Sequence, residues 1–183
     1  MGLRNRDLFK FETCFFVTTT CIQFKPLISL SDSYRIIESS LSFVNDKYKA
    51  DTLAYVIMPN HLHFIAYFKE KNELSNYMRD MKKFTSVQIR MKFEAMAKFD
   101  IVKQLRNNSK GRTFQTWMER FDDVYLYNKM TIETKIDYIH KNPLRQHWSL
   151  VQLPEEYIYS SAMYYEKGKQ PGLKITDYRE YFG

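Results

Sequence analysis

Pro59-Asn60-His61-Leu62-His63-Phe64-Ile65 decides how the chain is read. Before it, Thr52-Leu53-Ala54-Tyr55-Val56-Ile57-Met58 is apolar and β-branched, as a strand requires. Pro59-Asn60 supplies turn chemistry, and His61 to Phe68 continues as a second strand, so the segment predicts a hairpin with histidines near its tip. Side chains of a strand alternate faces. His61 and His63 therefore share one face, while Leu62 and Phe64 share the other. Two neutral imidazoles on one face can bind a divalent metal in bidentate fashion.

Outward from the hairpin, residues 13–24 read as an earlier strand, and Ser31-Asp32-Ser33 offers caps for a helix running to about Lys47. Helical periodicity returns from Glu73 to about Phe99, as one long helix or two shorter ones, with Met and Phe residues expected in the core. Asn107 to Gly111 reads as a polar turn, and Thr113 to Leu126 as short strands or an aromatic connector. Thr131 is placed to cap a helix ending near Asn142, because Pro143 disfavours helix at the residue before it. This order predicts an α+β fold: a ferredoxin-like antiparallel sheet with helices packed on it, plus an aromatic-rich C-terminal arm. The expected division is a domain over 1–145 and an arm over 146–183 packed on the same domain.

Composition narrows the function. The chain has 183 residues, enough for one domain with a proper core, and a net charge of +7. Residues 71–112 carry 11 Lys/Arg against 4 Asp/Glu, a balance of +7, so the whole excess lies mid-chain. Such a segment is the footprint of a phosphate-backbone contact, although a solvated lysine-rich helix face would look similar. Cys14 and Cys21 fit no zinc spacing and read as reduced thiols. No run approaches the roughly 18 apolar residues of a membrane span, and no secretory leader is visible, so a cytoplasmic protein is expected.

Ile136-Asp137-Tyr138-Ile139-His140-Lys141-Asn142-Pro143 adds the second half of the chemistry. Tyr138 and Asn142 are four apart and share a helix face. Asn142 can offer an amide oxygen to Mg²⁺ or Mn²⁺ beside the two imidazoles, with positions left open for a substrate oxygen. Tyr138 is then the natural nucleophile. A free phenol ionises near pH 10, so it needs help from charge at the scissile phosphate.

The sequence Pro59-Asn60-His61-Leu62-His63 resembles the His-hydrophobic-His signature of HUH endonucleases. Together with Tyr138 to Pro143, Pro154-Glu155-Glu156-Tyr157 and Ser160-Ser161, the chain resembles the REP-associated tyrosine transposases from roughly Phe15 to Tyr165. Trp117, Phe121 and Asp123 also match, whereas Val124 stands where a histidine is usual, and Arg145-Gln146-His147-Trp148 replaces a small residue and glycine.

The resemblance implies an HUH core that cleaves and rejoins single-stranded or hairpin DNA, such as REP-like repeats, through a 5′-phosphotyrosine. It implies Tyr138 as nucleophile, His61, His63 and Asn142 as metal ligands, and a monomer or homodimer away from membranes. Arg79, Lys82, Lys83, Arg90 and Lys92 are the candidates for guiding the DNA backbone. The alternatives are a catalytically inactive hairpin-DNA-binding module and a metal-dependent phosphodiesterase with a water nucleophile.

Overall fold

The computed structural model describes residues 12–106 and 114–183. Strand β1 (Cys14–Thr20) lies between β3 (His61–Phe68) and β4 (Asp122–Tyr125), and β2 (Ala50–Ile57) pairs with the far side of β3. The order β2-β3-β1-β4, antiparallel throughout, is the ferredoxin-like arrangement of a βαββαβ chain. The predicted hairpin is present, with His61 opening β3 directly after the Pro59-Asn60 turn.

Helices α2 (Tyr34–Tyr48) and α3 (Leu74–Ala95) cover one face of the sheet. There Leu62 and Phe64 of β3 join Phe15, Val17, Tyr55 and Ile57 against Ile37, Leu41, Tyr77, Met81 and Phe93. Alternate residues point the other way. Phe16, Val56 and Ile65 pack with Ile132, Ile136 and Ile139 of α5 (Lys129–His140). The sheet is therefore buried on both faces, and the strands are apolar on both. Phe64 is fully buried, 5.9 Å from the Tyr77 ring. Phe64→Ala should cost about 3–5 kcal/mol, read as a lower urea midpoint.

Several local details depart from the expectations. The cap of α5 is Asn128, whose side chain accepts the Thr131 N–H, while the Thr131 hydroxyl donates to the Asn128 carbonyl. Both residue types can cap, and the helix starts about one turn earlier than expected. Ser33 stands at the start of α2 without a side-chain cap; Ser31 bonds the Leu27 carbonyl of the one-turn helix α1 (Leu27–Leu30) and the Ser33 hydroxyl instead. The Met and Phe stripe of α3 divides. Met78, Met81 and Phe93 are buried, but Phe84, Val87 and Met91 face solvent because only one stripe of a helix can reach the sheet. A short helix, α4 (Phe99–Gln104), follows. The turn expected at Asn107 to Gly111 lies outside the described residues.

Cys14 and Cys21 are buried free thiols, and burial pushes both up to about 12. Among the described residues no helix is long and apolar enough to cross a membrane.

After α5 the chain runs along the outer edge of β2. The Ile57 N–H donates to the Tyr159 carbonyl, and the Ser161 N–H donates to the Tyr55 carbonyl. The hydroxyls of Tyr157 and Tyr165 donate to the carbonyls of Ile57 and Leu53. A short helix, α6 (Ala162–Lys167), follows.

Candidate active site

His61 and His63 project from β3 onto the α5 side of the sheet, their ring centroids 4.7 Å apart. Each is fixed through Nδ1. For His63 the partner is Thr18 Oγ1 at 2.8 Å, directly across the β1–β3 ladder; for His61 it is Asn60 Oδ1 at 2.6 Å. Asn60 is itself held, since its amide donates to the Phe24 carbonyl. Nε2 of each ring is thus the nitrogen not tied to these partners.

Burial disfavours the imidazolium. It pushes His61 down to about 4, the Asn142 side chain opposing this and the charges of Arg145 and His147 adding to it. Burial holds His63 well below the usual histidine range, reinforced by His61, Arg145 and Lys135. Both rings are therefore neutral at physiological pH, the state in which an imidazole has a lone pair to share.

Helix α5 and the turn after it bring the second motif to the same place. The Tyr138 ring is 5.3 Å from that of His63 and 5.8 Å from that of Phe16, edge to face in both cases. Asn142, in the 3₁₀ turn Asn142–Leu144, is almost fully buried and lies close enough to His61 to act on its protonation. Residues some 75 positions apart in sequence thus meet at one spot, the α5 side of β3. The Tyr138 hydroxyl has no hydrogen bond among the described residues. Other tyrosines tie the fold: those of residues 55, 77 and 178 donate to Glu38, Asn45 and Glu133. Tyr138 is half-buried, with its hydroxyl uncommitted.

The end of α5 is pinned to the sheet. His140 Nε2 and Ser161 Oγ share a buried hydrogen bond of 2.9 Å, and the same oxygen accepts the Tyr55 N–H. Burial pushes His140 down to about 4, so it too is neutral.

The donor set can be weighed against a divalent metal. No group of three His, Cys, Asp or Glu side chains suited to a metal gathers among the described residues. Two neutral imidazoles and the Asn142 amide are nonetheless a mixed nitrogen and oxygen set compatible with Mg²⁺ or Mn²⁺.

The basic candidates lie elsewhere. Arg79, Lys82, Lys83, Arg90 and Lys92 are all on α3, across the sheet from the histidines. The first four line a groove of about 570 Å³ whose opposite wall includes Phe114, Trp117, Met118 and Phe121. Lys92 is exposed and outside that lining. Lys82 Nζ spans the groove to the carbonyls of Met118 and Glu119. The far wall in turn meets the histidine strands, because the Met118 N–H donates to the carbonyl of Thr20, the register partner of His61.

Sequence reasoning missed the partners of these groups. Thr18 reads only as a strand residue and Asn60 only as a turn former, since register decides which atoms face them. Arg145 and Lys135 carry no motif. Yet the Arg145 guanidinium carbon lies 4.4 Å from the Tyr138 ring centroid, and Lys135 Nζ 5.6 Å from it.

Comparison with known proteins gives the family and the fold. A protein of Haemophilus influenzae that carries the name of a REP-associated tyrosine transposase is 25% identical over 183 residues, covering 96% of this chain and 98% of the relative. A solved structure of a REP-associated tyrosine transposase bound to a REP hairpin shares the fold. Its TM-score is 0.63 at 19% identity, over 91% of this chain and 87% of that one. The profile of the family described as "Transposase IS200 like" matches residues 25–142, more than half of the sequence. The chain therefore belongs to the IS200-like transposases.

Proposed function

We propose that this transposase-family protein cleaves and rejoins single-stranded or hairpin DNA, such as REP-like repeats, through a covalent 5′-phosphotyrosine at Tyr138. The observation that carries the proposal is the meeting of His61, His63, Asn142 and an uncommitted Tyr138 hydroxyl on one face of β3. A binding module needs none of the four.

In this reading His61, His63 and Asn142 hold a divalent ion, Mg²⁺ or Mn²⁺. When bound, such an ion supplies Lewis-acid polarisation of a phosphodiester. The protein's own groups do the rest. Thr18 and Asn60 fix the two imidazoles through Nδ1, burial keeps them neutral, and α5 aims Tyr138 into the same space. Tyr138 Oη bonds to phosphorus as the bond from phosphorus to the 3′ oxygen breaks; the phenol proton leaves to water and the 3′ oxygen takes one. The phosphodiester energy is kept, so a later 3′ hydroxyl can reverse the step.

The test uses labelled single-stranded hairpin DNA from the gene's own flanks, with Mg²⁺, Mn²⁺ or EDTA, on a denaturing gel. A metal-dependent protein–DNA band whose attachment maps to Tyr138 is expected. Tight hairpin binding with no such band would instead favour the inactive binding module.

The α3 groove is proposed to follow the DNA backbone. Lys83 is exposed on its rim. Lys83→Gln should weaken hairpin binding and flatten the slope of log affinity against log salt by about one. An unchanged slope would remove this groove from the interface.

A further inference from the structure

Two cations converge on Tyr138 without a counter-ion among the described residues. The Arg145 guanidinium lies over the ring, and Lys135 reaches it from one turn earlier on α5, with its Nζ also 4.8 Å from the Phe16 ring centroid. Neither side chain has a hydrogen bond or carboxylate partner among the described residues. The neighbouring acid, Asp137, is already paired with Lys141 at 2.8 Å. Two cations without a carboxylate partner, converging on the ring of one tyrosine, make a place that suits an anion.

The placement of Arg145 is built, not incidental. Its N–H donates to the Asn142 carbonyl, and its own carbonyl accepts from Trp148 and Ser149 at 2.7 and 2.9 Å. The root of the side chain is thus set by the turn that carries Asn142, and the same turn brings Trp148 to 5.9 Å from His61. Arg145 is near enough to both histidines for its charge to act on each. With those rings neutral, the cluster carries two positive charges from Arg145 and Lys135 and no negative one of its own.

We infer that Arg145 is a catalytic residue of the strand-transfer reaction: its guanidinium fork receives the non-bridging oxygens of the scissile phosphodiester, and Lys135 provides the second cation. The inference rests on the proposed role of Tyr138. A phosphodiester has one negative charge shared by two oxygens, which suits a planar bidentate donor. As Tyr138 Oη bonds to phosphorus and the 3′ oxygen leaves, charge builds on those oxygens. The phenol proton passes to water and the departing oxygen takes a proton from water, so protons balance and the two cations face the added charge. Preorganised donors at such a point stabilise the transition state more than the ground state.

The test compares wild type, Tyr138→Phe, Arg145→Met, Arg145→Lys and Lys135→Met in single turnover on the flank-derived hairpin oligonucleotide with Mn²⁺. At saturating DNA, Arg145→Met should form covalent adduct about 10²-fold more slowly. Lys135→Met should be slowed less, and Arg145→Lys should recover part of the rate. Hairpin affinity should stay within about threefold of wild type, because the loss falls on the rate of the chemical step. Cation–ring packing without phosphate contact would give no such split between rate and affinity.

Adduct formed at the wild-type rate by Arg145→Met, but absent from Tyr138→Phe, would overturn this inference alone. Adduct formed by Tyr138→Phe would overturn the nucleophile reading and this inference with it. Arg145 is exposed, so Arg145→Met should melt as wild type does; if it does not fold, Arg145→Gln makes the same comparison.

Discussion

Tyr138→Phe is expected to abolish covalent capture of hairpin DNA while leaving the fold intact. The substitution deletes one oxygen, and that oxygen has no hydrogen bond among the described residues. The ring contacts with His63, Phe16 and the two cations do not need it. Stability should therefore change by no more than about 0.5 kcal/mol. Adduct formation should fall by at least about 10⁴-fold, since loss of a nucleophile removes the reaction it performs. Hairpin binding measured in parallel should persist. Strand cleavage that survives in the variant would point to water as the nucleophile and to a phosphodiesterase.

His63→Ala should have the next largest effect, in two separable ways. His63 is 5% exposed, bonded to Thr18 and stacked on Phe16 with ring centroids 5.5 Å apart. Removing it leaves a cavity and an unpaired hydroxyl, costing about 2–3 kcal/mol in a urea titration. It also removes one of the three groups proposed to hold the metal. Mn²⁺ binding followed by calorimetry should weaken at least about tenfold, and adduct formation should drop about 10³-fold. His63→Gln, which offers an amide to Thr18, should recover more stability than activity. Mn²⁺ affinity equal to that of wild type in the alanine variant would remove His63 from the ligand set.

Much of the fold is legible because the sheet is buried on both sides. Two opposite apolar faces make Thr52 to Phe68 a conspicuous pair of strands, and Pro59-Asn60 breaks them at the right point. The shared face of His61 and His63 follows from strand geometry alone. Helical spacing likewise predicts Tyr138 and Asn142 on one side, although Asn142 belongs to the turn beyond α5. What escapes is whatever depends on register or on the path of a turn. Thr18 meets His63 because seven consecutive pairs align β1 with β3, and no local pattern encodes that alignment. Asn128 and Thr131 are both competent caps, so composition cannot choose between them. Arg145 is one basic residue in an irregular segment, and only the three-dimensional course of residues 142–149 turns it over Tyr138. The basic run of α3 is plain in the sequence, but its position across the sheet from the histidines is not.

The segment along β2 has a consequence for how copies of the protein can meet. A sheet edge is a template for another strand, and an eight-residue apolar edge would invite self-association. Here Tyr157, Tyr159, Ser161 and Tyr165 occupy the outward backbone groups of residues 53–57, and the Thr176 N–H takes the Thr52 carbonyl. That border is closed by the chain itself, and two sheets cannot be joined through it without peeling the segment away. The opposite border is β4, only four residues long. The same segment that bonds His140 through Ser161 thus also blocks β2 from strand addition, so loosening it would release the tyrosine helix and expose an aggregation-prone edge together.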